Sequence, residues 1–331
     1  MLYSSQMTKL SATEGIILYK LQFDAERAAP LLSKQIKVPT HTIHYHLNRL
    51  REAQVIRPWA HLNVALLGYE QFRIYFTLAS EKRPVRTKVL ETIKRDKHVV
   101  WSASLGGAYQ YALSVYVRSG RELTKFLDDL VDRFGSVFLK KAVVLDTEFI
   151  LFKKKYLVAR KDRDASEVLS TPELLSKPKL DAIDYKILSA LSHRELSSHR
   201  DLARFLGMPR ATVDLRIKKL RDDKIILGSI FHISATKLGF QVFRLLIFAR
   251  GAQKGLQDKL RKFCAVHPNI VNLSYCIGVW DYEATVEVAE SKDIALVIED
   301  LFSELGSFLT DVEVVPVFEQ SATSNLELTE R

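Results

Sequence analysis

The chain has 331 residues, which at about 100–200 residues per domain predicts at least two packed units. Hydrophobic residues make up 47% of the sequence and charged residues 27%, and this composition excludes intrinsic disorder as its main state. The 49 Lys and Arg residues outnumber the 39 Asp and Glu residues and give a formal charge of +10, which favours a polyanionic partner such as nucleic acid.

Membrane proteins and disulfide-rich proteins are disfavoured by what the sequence lacks. No apolar run approaches the roughly 18 residues that span a bilayer, and the first residues carry no secretory signal. We therefore expect a cytoplasmic protein without a membrane partner. Cys264 and Cys276 are too few for a disulfide scaffold and lack the spacing of a zinc site, so we expect both in the core.

The sequence contains an internal repeat. Residues 10–21 align with residues 180–191, and residues 38–51 align with residues 208–221 at the same offset of 170. Further along, Gly107 matches Gly278 at an offset of 171, as if one residue had been inserted. The chain is therefore predicted to contain two diverged copies of one two-part unit.

The first part of each copy is predicted to be a winged helix-turn-helix. In the second copy, apolar residues at the helical period predict a first helix that Asp181 caps. A second helix over 198–206 ends at Gly207, and Pro209 opens a third helix over 210–223. Extended stretches follow the third helices and are predicted to form wing strands; they cover 55–63 and 225–233.

Each third helix has an apolar inward face and a mixed outward face. The inward faces carry Ile43, Leu47 and Leu50 in the first copy and Val213, Ile217 and Leu220 in the second. The outward faces carry His41, His44, Tyr45, Asn48 and Glu52 in the first copy and Ala211, Asp214, Leu215, Lys218 and Asp222 in the second. Such a helix can lie in the major groove of DNA.

The outward faces and their cationic flanks supply the candidate contacts to double-stranded DNA. Long cations can neutralise phosphates, while amide, imidazole and small side chains can reach base edges. Asn48 in particular could pair with adenine through both atoms of its amide. The candidate DNA-binding residues are Thr40, His41, His44, Tyr45, Asn48, Arg49, Arg51, Arg210, Ala211, Thr212, Asp214, Leu215, Arg216, Lys218, Lys219 and Arg221.

Metal binding and catalysis are the alternatives to DNA binding for these polar residues. His41 and His44 could share an ion, but no third ligand is evident, so we expect no metal. The sequence contains no glycine-rich phosphate loop, nucleophile elbow or HExxH motif. We therefore expect no cofactor and no enzymatic activity.

The second part of each copy is predicted to be a ferredoxin-like βαββαβ unit, so the fold class is α+β. In the first copy the strands are expected at 71–79, 99–104, 109–118 and 140–148, and the helices at 84–97 and 121–134. In the second copy the strands are expected at 241–250, 270–276, 282–289 and 311–318, and the helices at 256–267 and 293–305. Several strands are apolar on both faces, which predicts that the two units pack together as an internal pseudo-dimer, although pairing with another chain stays open.

These elements predict a domain order for the whole chain. The expected ranges are 1–63 and 180–234 for the winged helix-turn-helix domains, 64–151 and 235–320 for the ferredoxin-like domains, 152–179 for a linker and 321–331 for a tail. Lys153, Lys154 and Lys155 follow Phe152, the first residue of this linker. Its composition predicts either a mobile segment that touches phosphate or a solvated connector without a function.

The combined pattern resembles the leucine-responsive regulatory protein (Lrp/AsnC) family over nearly the whole chain, twice. The resemblance is carried by Leu180-Asp-Ala-Ile-Asp184, Leu188, Arg216-Ile-Lys-Lys-Leu220, Gly228 and Gly278-Val-Trp-Asp281-Tyr282. It implies a transcriptional regulator that dimerises through the ferredoxin-like domain and often assembles into larger homo-oligomers. It also implies an amino-acid-like effector bound between those domains.

The resemblance points to one turn as the effector site. The family's Gly-x-x-Asp turn falls on Gly278 and Asp281, with Trp280 between them. In the first copy Gln110 replaces the aspartate, which removes a charge that would pair with an ammonium group. The alternative is that Asp281 only satisfies backbone donors of its turn.

Two rival functions fit the same architecture. Siroheme decarboxylases resemble it, and some are fused tandem chains, but residues 274–282 lack the histidine and arginine that those enzymes carry there. A ligand-sensing scaffold that has lost DNA binding is the other rival, and the cationic flanks of both third helices argue against it. We therefore predict a sequence-specific DNA-binding regulator, with an asymmetric site because the two third helices differ.

Overall fold

A computed structural model describes residues 7–79, 83–164, 168–170, 178–193, 198–251, 255–322 and 328. The first copy begins with α1 (Ala12–Leu21), α2 (Ala29–Ile36), α3 (Thr40–Glu52) and β1 (Ile56–Leu62). It continues with β2 (Glu70–Leu78), α4 (Arg83–Arg95), β3 (Val99–Leu105), β4 (Tyr111–Val117), α5 (Gly120–Phe134) and β5 (Phe138–Phe152).

The second copy repeats this order after a short strand, β6 (Val168–Ser170). Its first part comprises α6 (Ala182–His193), α7 (His199–Leu206), α8 (Arg210–Asp222) and β7 (Ile226–Ile233). Its second part comprises β8 (Gln241–Ala249), α9 (Leu256–Val266), β9 (Ile270–Gly278), β10 (Tyr282–Val288), α10 (Asp293–Leu305) and β11 (Leu309–Ala322). The predicted α+β class and the order of elements in both copies are confirmed.

The two ferredoxin-like units form one closed antiparallel barrel. Within the first unit the strands lie in the order β5-β2-β4-β3, and within the second in the order β11-β8-β10-β9. The units are joined where β5 pairs with β9 and where β11 pairs with β3, so eight strands close into a ring to which β6 adds at β5. The pairing therefore takes place within the chain, and closure leaves none of these eight strands as an open sheet edge.

The two units pack through their inner sheet faces, as predicted, and they also pair through the backbone at both sheet edges, which the sequence pattern does not indicate. β5 and β11 have 15 and 14 residues, which is longer than the sequence pattern predicts. The first half of each strand pairs within its own unit and the second half pairs with the other unit. The ladder to the other unit shifts register at Asp146/Glu148 in β5 and at Val317/Glu319 in β11. The apolar inner faces of the strands therefore line one shared barrel interior.

The expected wing strands also pair between the copies. β1 and β7 form a two-stranded antiparallel ribbon with Trp59 opposite Ile230 at its centre, and these residues occupy equivalent positions in the two copies. A bulge places His61 opposite Gly228 and Leu62 opposite Ile226, which leaves Leu227 without a partner in the ladder. Leu227 is thus the extra residue that changes the offset between the copies from 170 to 171.

Each helix-turn-helix domain packs against the other copy. The core of α1–α3 includes Phe231 and Ile233 from β7. The core of α6–α8 includes Leu67 and Tyr69, which follow β1. Burying these side chains across the copies fixes both helix-turn-helix domains to the ribbon.

The expected basic linker is packed against the protein at its start. Lys153, Lys154 and Lys155 are only 4%, 7% and 5% exposed, so the prediction of a solvated or phosphate-contacting segment is wrong for them. Lys154 pairs with Glu287, and burial lowers the pKa of Lys155 to about 8. Residues 165–167 and 171–177 of the expected linker lie outside the described residues.

A glycine allows this close packing. A Cβ atom at Gly15 of α1 would lie 2.2 Å from the backbone oxygen of Leu157, a distance that real side chains do not reach. Only glycine therefore permits α1 to approach the segment that follows β5.

Candidate nucleic-acid interface

A buried carboxylate ties the first helix to the third in the first copy. Ser11 caps α1, and its backbone N–H donates to Glu14 over 2.9 Å. Glu14 is 2% exposed and pairs with Arg49 at 2.6 Å and His46 at 3.0 Å, both on α3. Burial opposes ionisation of Glu14, but the hydrogen bonds from Ser11, Arg49 and His46 outweigh it and hold its pKa below the usual range.

The second copy repeats this tie at equivalent positions. Asp184 of α6 is fully buried and pairs with Arg216 at 3.1 Å and Lys219 at 3.2 Å, both on α8. Asp181 accepts a further bond from Arg216 at 2.5 Å, and its own pKa is lowered first by the Asp184 backbone N–H and then by Arg216. In both copies, two basic residues three positions apart on the third helix thus orient it against the first helix.

The outward faces of α3 and α8 are open to solvent as predicted. All six inward residues are buried: Ile43, Leu47, Leu50, Val213, Ile217 and Leu220. Tyr45 is 65% exposed and Leu215 is 68% exposed, and they occupy the same position in the two copies. The other exposed outward residues are His41, His44, Asn48, Glu52, Ala211, Lys218 and Asp222, whereas Asp214 is half-buried.

The candidate cations are unequally available to a partner. Arg216 keeps only 25% of its side chain exposed, and it is bound to two carboxylates of its own domain, as Arg49 and Lys219 are bound to one. Arg51 donates to the Asn48 amide oxygen over 3.2 Å and so orients that amide. The more exposed cations on α8 are Arg210, which is 67% exposed beside Asp214, and Lys218.

The two helix-turn-helix domains are joined by a cluster of charges. Glu26, in the loop between α1 and α2, pairs with Arg221 at the end of α8 at 2.5 Å. His199 of α7 lies 2.7 Å from Asp214 and 3.7 Å from the same Glu26. This contact holds the loop of one domain against the third helix of the other.

The turn that the resemblance suggests for an effector is built into the fold. Gly278 has φ of 149°, and a Cβ there would lie 2.7 Å from the backbone oxygen of Val143. Trp280 is 2% exposed and packs edge-on against Tyr75 with ring centroids 5.0 Å apart. The Asp281 carboxylate accepts from the Ala249 backbone N–H over 2.7 Å. The expected effector contact at Trp280 is corrected, because this side chain belongs to the core.

A cavity of about 300 Å³ lies between the β1–β7 ribbon and the barrel. Its lining follows the internal repeat, because each copy contributes residues at equivalent positions. The polar pairs are His61 with His232, Arg73 with Arg244, Ser114 with Thr285, and Tyr116 with Glu287. Burial lowers the pKa of His61 to about 4. The pKa of His232 is also lowered to about 4, by desolvation of its ring and by the charges of Lys154 and Arg57, although this residue keeps exposed surface. Both imidazoles are therefore neutral at pH 7.

The two arginines of the cavity are bound to carboxylates inside the barrel. Arg73 pairs with Asp146 at 2.9 Å and also with Glu283. Arg244 pairs with the same Glu283 at 3.2 Å and donates to the Thr285 hydroxyl over 2.6 Å. Burial raises the pKa of Asp146 to about 6, although Arg73 opposes the shift.

Sequence reasoning missed the buried ties and the cavity. A signal for the ties is present in the repeat, since an acid on the first helix and two basic residues on the third recur at positions 14, 46 and 49 and at positions 184, 216 and 219. His61 with His232 and Arg73 with Arg244 likewise recur at an offset of 171. Matched polar residues in apolar strands indicate a shared interior site.

Comparisons with known proteins agree with the geometry. The winged helix-turn-helix DNA-binding family matches residues 180–226. The HTH-type transcriptional regulator Ptr1 of Methanocaldococcus jannaschii is 33% identical over 132 residues, which are 40% of this chain and 80% of that protein. An HTH-type transcriptional regulator of Pyrococcus horikoshii is 26% identical over 43% of this chain and 97% of its own length.

A solved structure shares the fold over nearly the whole chain. The siroheme decarboxylase NirDL aligns with a TM-score of 0.62 and 12% identity, and the alignment covers 95% of this chain and 94% of that one. At this identity the likeness shows the architecture alone. It includes the tandem arrangement of two copies, whereas each sequence relative corresponds to about one copy.

The fold and its exposed third helices define a transcriptional regulator of the winged helix-turn-helix class. Ptr1 shares 33% identity with this chain over four fifths of its own length. The chain belongs to the Lrp/AsnC family of such regulators, as a tandem duplication of the family's unit. None of the helices in the described ranges has the length and hydropathy needed to cross a bilayer.

Replacing the buried carboxylate tests the tie between the first and third helices. We expect Asp184→Asn to lower the free energy of unfolding by about 1–3 kcal/mol, because Arg216 and Lys219 lose their shared buried anion while keeping partial access to water. Urea unfolding followed by circular dichroism at 222 nm measures the change.

Asp222→Asn is the matched control, since it removes one negative charge from an exposed position on α8. We expect it to shift the free energy of unfolding by less than about 0.5 kcal/mol. Equal effects of the two substitutions would contradict the structural role of Asp184.

Proposed function

We propose that this chain regulates transcription by placing α3 and α8 on one DNA duplex. The observation that carries the proposal is the equivalent disposition of the two helices: each buries three apolar residues inward and presents its polar face to solvent. The chain's formal charge of +10 favours approach to a polyanion.

The exposed residues fall into two roles in this proposal. Asn48, His41 and His44 on α3 read base edges, and Tyr45 and Leu215 contact thymine methyl groups, because they lie at the centre of the outward faces. Arg210 and Lys218 contact phosphates. The remaining candidates are assigned to the flanks of the contact: Thr40, Arg49, Arg51, Ala211, Thr212, Asp214, Arg216, Lys219 and Arg221.

The two copies are proposed to read different half-sites. α3 offers two imidazoles, a phenol and an amide, whereas α8 offers Ala211, Leu215 and Lys218 at its outward face, with Arg210 at the flank. Because the halves are covalently joined, the recognised sequence need not be a palindrome. Selection of binding sites from a random 40-base-pair library by the purified protein would reveal an asymmetric consensus.

Removing two exposed cations tests the interface on the selected duplex. We expect Arg210→Gln combined with Lys218→Gln to weaken binding about tenfold or more and to reduce the slope of log K against log salt by about 2, one unit for each phosphate contact. Fluorescence anisotropy titrations at several salt concentrations measure both quantities.

Arg121→Gln combined with Lys125→Gln is the control, because it removes the same charge from exposed positions on α5 of the barrel. This variant should keep its affinity within about twofold. An equal loss of DNA affinity in both double variants would show that net charge alone causes the effect. If the wild-type chain selects no duplex at all, a scaffold without DNA binding is favoured.

We also propose that chains associate through the two equivalent turns of the barrel. Ile277 and Val279 flank Gly278 and are 64% and 52% exposed, and Phe318, which is 70% exposed, covers Gly106 beside the equivalent turn. Exposed apolar side chains grouped in this way are typical of protein interfaces. Light scattering should give more than one chain per particle, and Ile277→Ser with Val279→Ser should lower that mass.

A siroheme decarboxylase of the same architecture is the second candidate function. The observation that favours it is the pair His61 and His232 at the central cavity, since neutral imidazole is a frequent axial ligand of tetrapyrrole iron. Both histidines lie outside residues 274–282, the stretch that lacks a histidine.

Titration with siroheme tests this second candidate. As a regulator the chain should leave the visible absorption spectrum of siroheme unchanged at equimolar concentration. A shifted spectrum that is lost in His61→Leu or His232→Leu would instead support the enzyme.

A further inference from the structure

The central cavity has the dimensions and walls of a site for a small ring compound. Its volume of about 300 Å³ lies at the lower end of the range of small-molecule pockets, which is about 300–1,000 Å³. Trp59 from the ribbon and Trp101 and Phe149 from the barrel contribute aromatic surface to it. One or two fused rings can stack on such surfaces.

Divergence between the copies leaves one arginine of this cavity incompletely paired. Arg73 Nε binds the Asp146 carboxylate at 2.9 Å on the neighbouring strand. Val317 occupies the equivalent position beside Arg244, because the register of β8 and β11 repeats that of β2 and β5. Arg244 Nε is accordingly buried without a hydrogen-bond partner.

A second nitrogen of the lining is also unsatisfied. His61 Nε2 is buried and has no partner among the described residues. A buried N–H without an acceptor destabilises the folded chain, so the unpaired Arg244 Nε, and His61 Nε2 in the tautomer that carries its proton there, favour a ligand with an acceptor group.

We propose that the cavity binds a small aromatic carboxylate, with its ring system against Trp59 and Trp101 and its carboxylate at Arg244 and His61. The ligand then adds an anion beside Arg244, the arginine that has Val317 where Arg73 has Asp146. This site differs from the turn of Gly278 and Asp281, whose polar groups already bind the backbone.

The position of the cavity couples such a ligand to the third helices. The ribbon that covers it begins four residues after α3 and four residues after α8. A ligand under Trp59 therefore acts on both helices through the same two strands. This coupling rests on the proposed DNA binding, whereas ligand binding itself does not.

Calorimetry with two acids and their amides tests the site without DNA. The probes are phenylacetate and indole-3-acetate, with phenylacetamide and indole-3-acetamide as uncharged analogues of equal shape. We expect the full chain to bind at least one acid with one site per chain, and to bind its amide about tenfold or more weakly, because the amide lacks the charge that Arg244 recognises.

Three variants locate the ligand. His61→Leu should weaken binding about tenfold while leaving the chain as stable as the wild type or more so, since it removes an unsatisfied buried nitrogen. Arg244→Gln should also weaken binding. Arg261→Gln is the control: this arginine pairs with Glu148 and does not line the cavity, so its affinity should match the wild type.

The outcomes separate this proposal from the proposed function. Absence of binding by all four probes up to 10 mM, equal affinity for acid and amide, or unchanged affinity in His61→Leu would overturn the ligand site while leaving DNA binding untouched. A bound acid that changes the affinity for the selected duplex supports the coupling. A bound acid with no such effect overturns the coupling alone.

Discussion

Backbone pairing between the two copies is the constraint on which the rest of the structure depends. Three strand pairs form backbone ladders between the copies: β5 with β9, β11 with β3, and β1 with β7. Each pairing satisfies N–H and C=O groups that an isolated unit would leave at an open edge. The barrel interior, the cavity above it and the attachment of both helix-turn-helix domains all follow from these ladders.

Charge within the helix-turn-helix domains serves two purposes. Glu14 and Asp184 bind cations of the third helices, so part of the basic character that suggests DNA binding stabilises the domain itself. Glu26 engages Arg221 in the same way across the two domains. The total number of Arg and Lys residues is therefore larger than the number of positive charges available to phosphates. In the proposed interface, Arg210 and Lys218 supply most of the phosphate contacts on α8, because the other cations there bind carboxylates of the protein.

The sequence could predict local structure and burial but not the partners of each element. Period and capping placed the helices and the inward residues of α3 and α8, because these depend on neighbours a few positions away. The sequence pattern does not predict that β1 pairs with β7. The alternation of apolar and polar residues along a strand shows which face is buried, but it does not show which strand lies beside it. The burial of Lys153, Lys154 and Lys155 escapes prediction for the same reason: composition suggests solvent, whereas Lys154 is held inside by Glu287, which lies 133 residues away in the sequence.

Because the two copies are covalently joined, closure of the barrel does not depend on protein concentration. In a dimer of separate chains the barrel opens on dilution, and every substitution appears twice. In this chain the strand pairs that close the barrel, β5 with β9 and β11 with β3, are part of one molecule and have a fixed effective concentration. The fraction of closed barrels is therefore the same at every protein concentration in the cell. Each position can also change in one copy alone. The first copy has Asp146 beside its arginine, whereas the second copy has Val317 at the equivalent position.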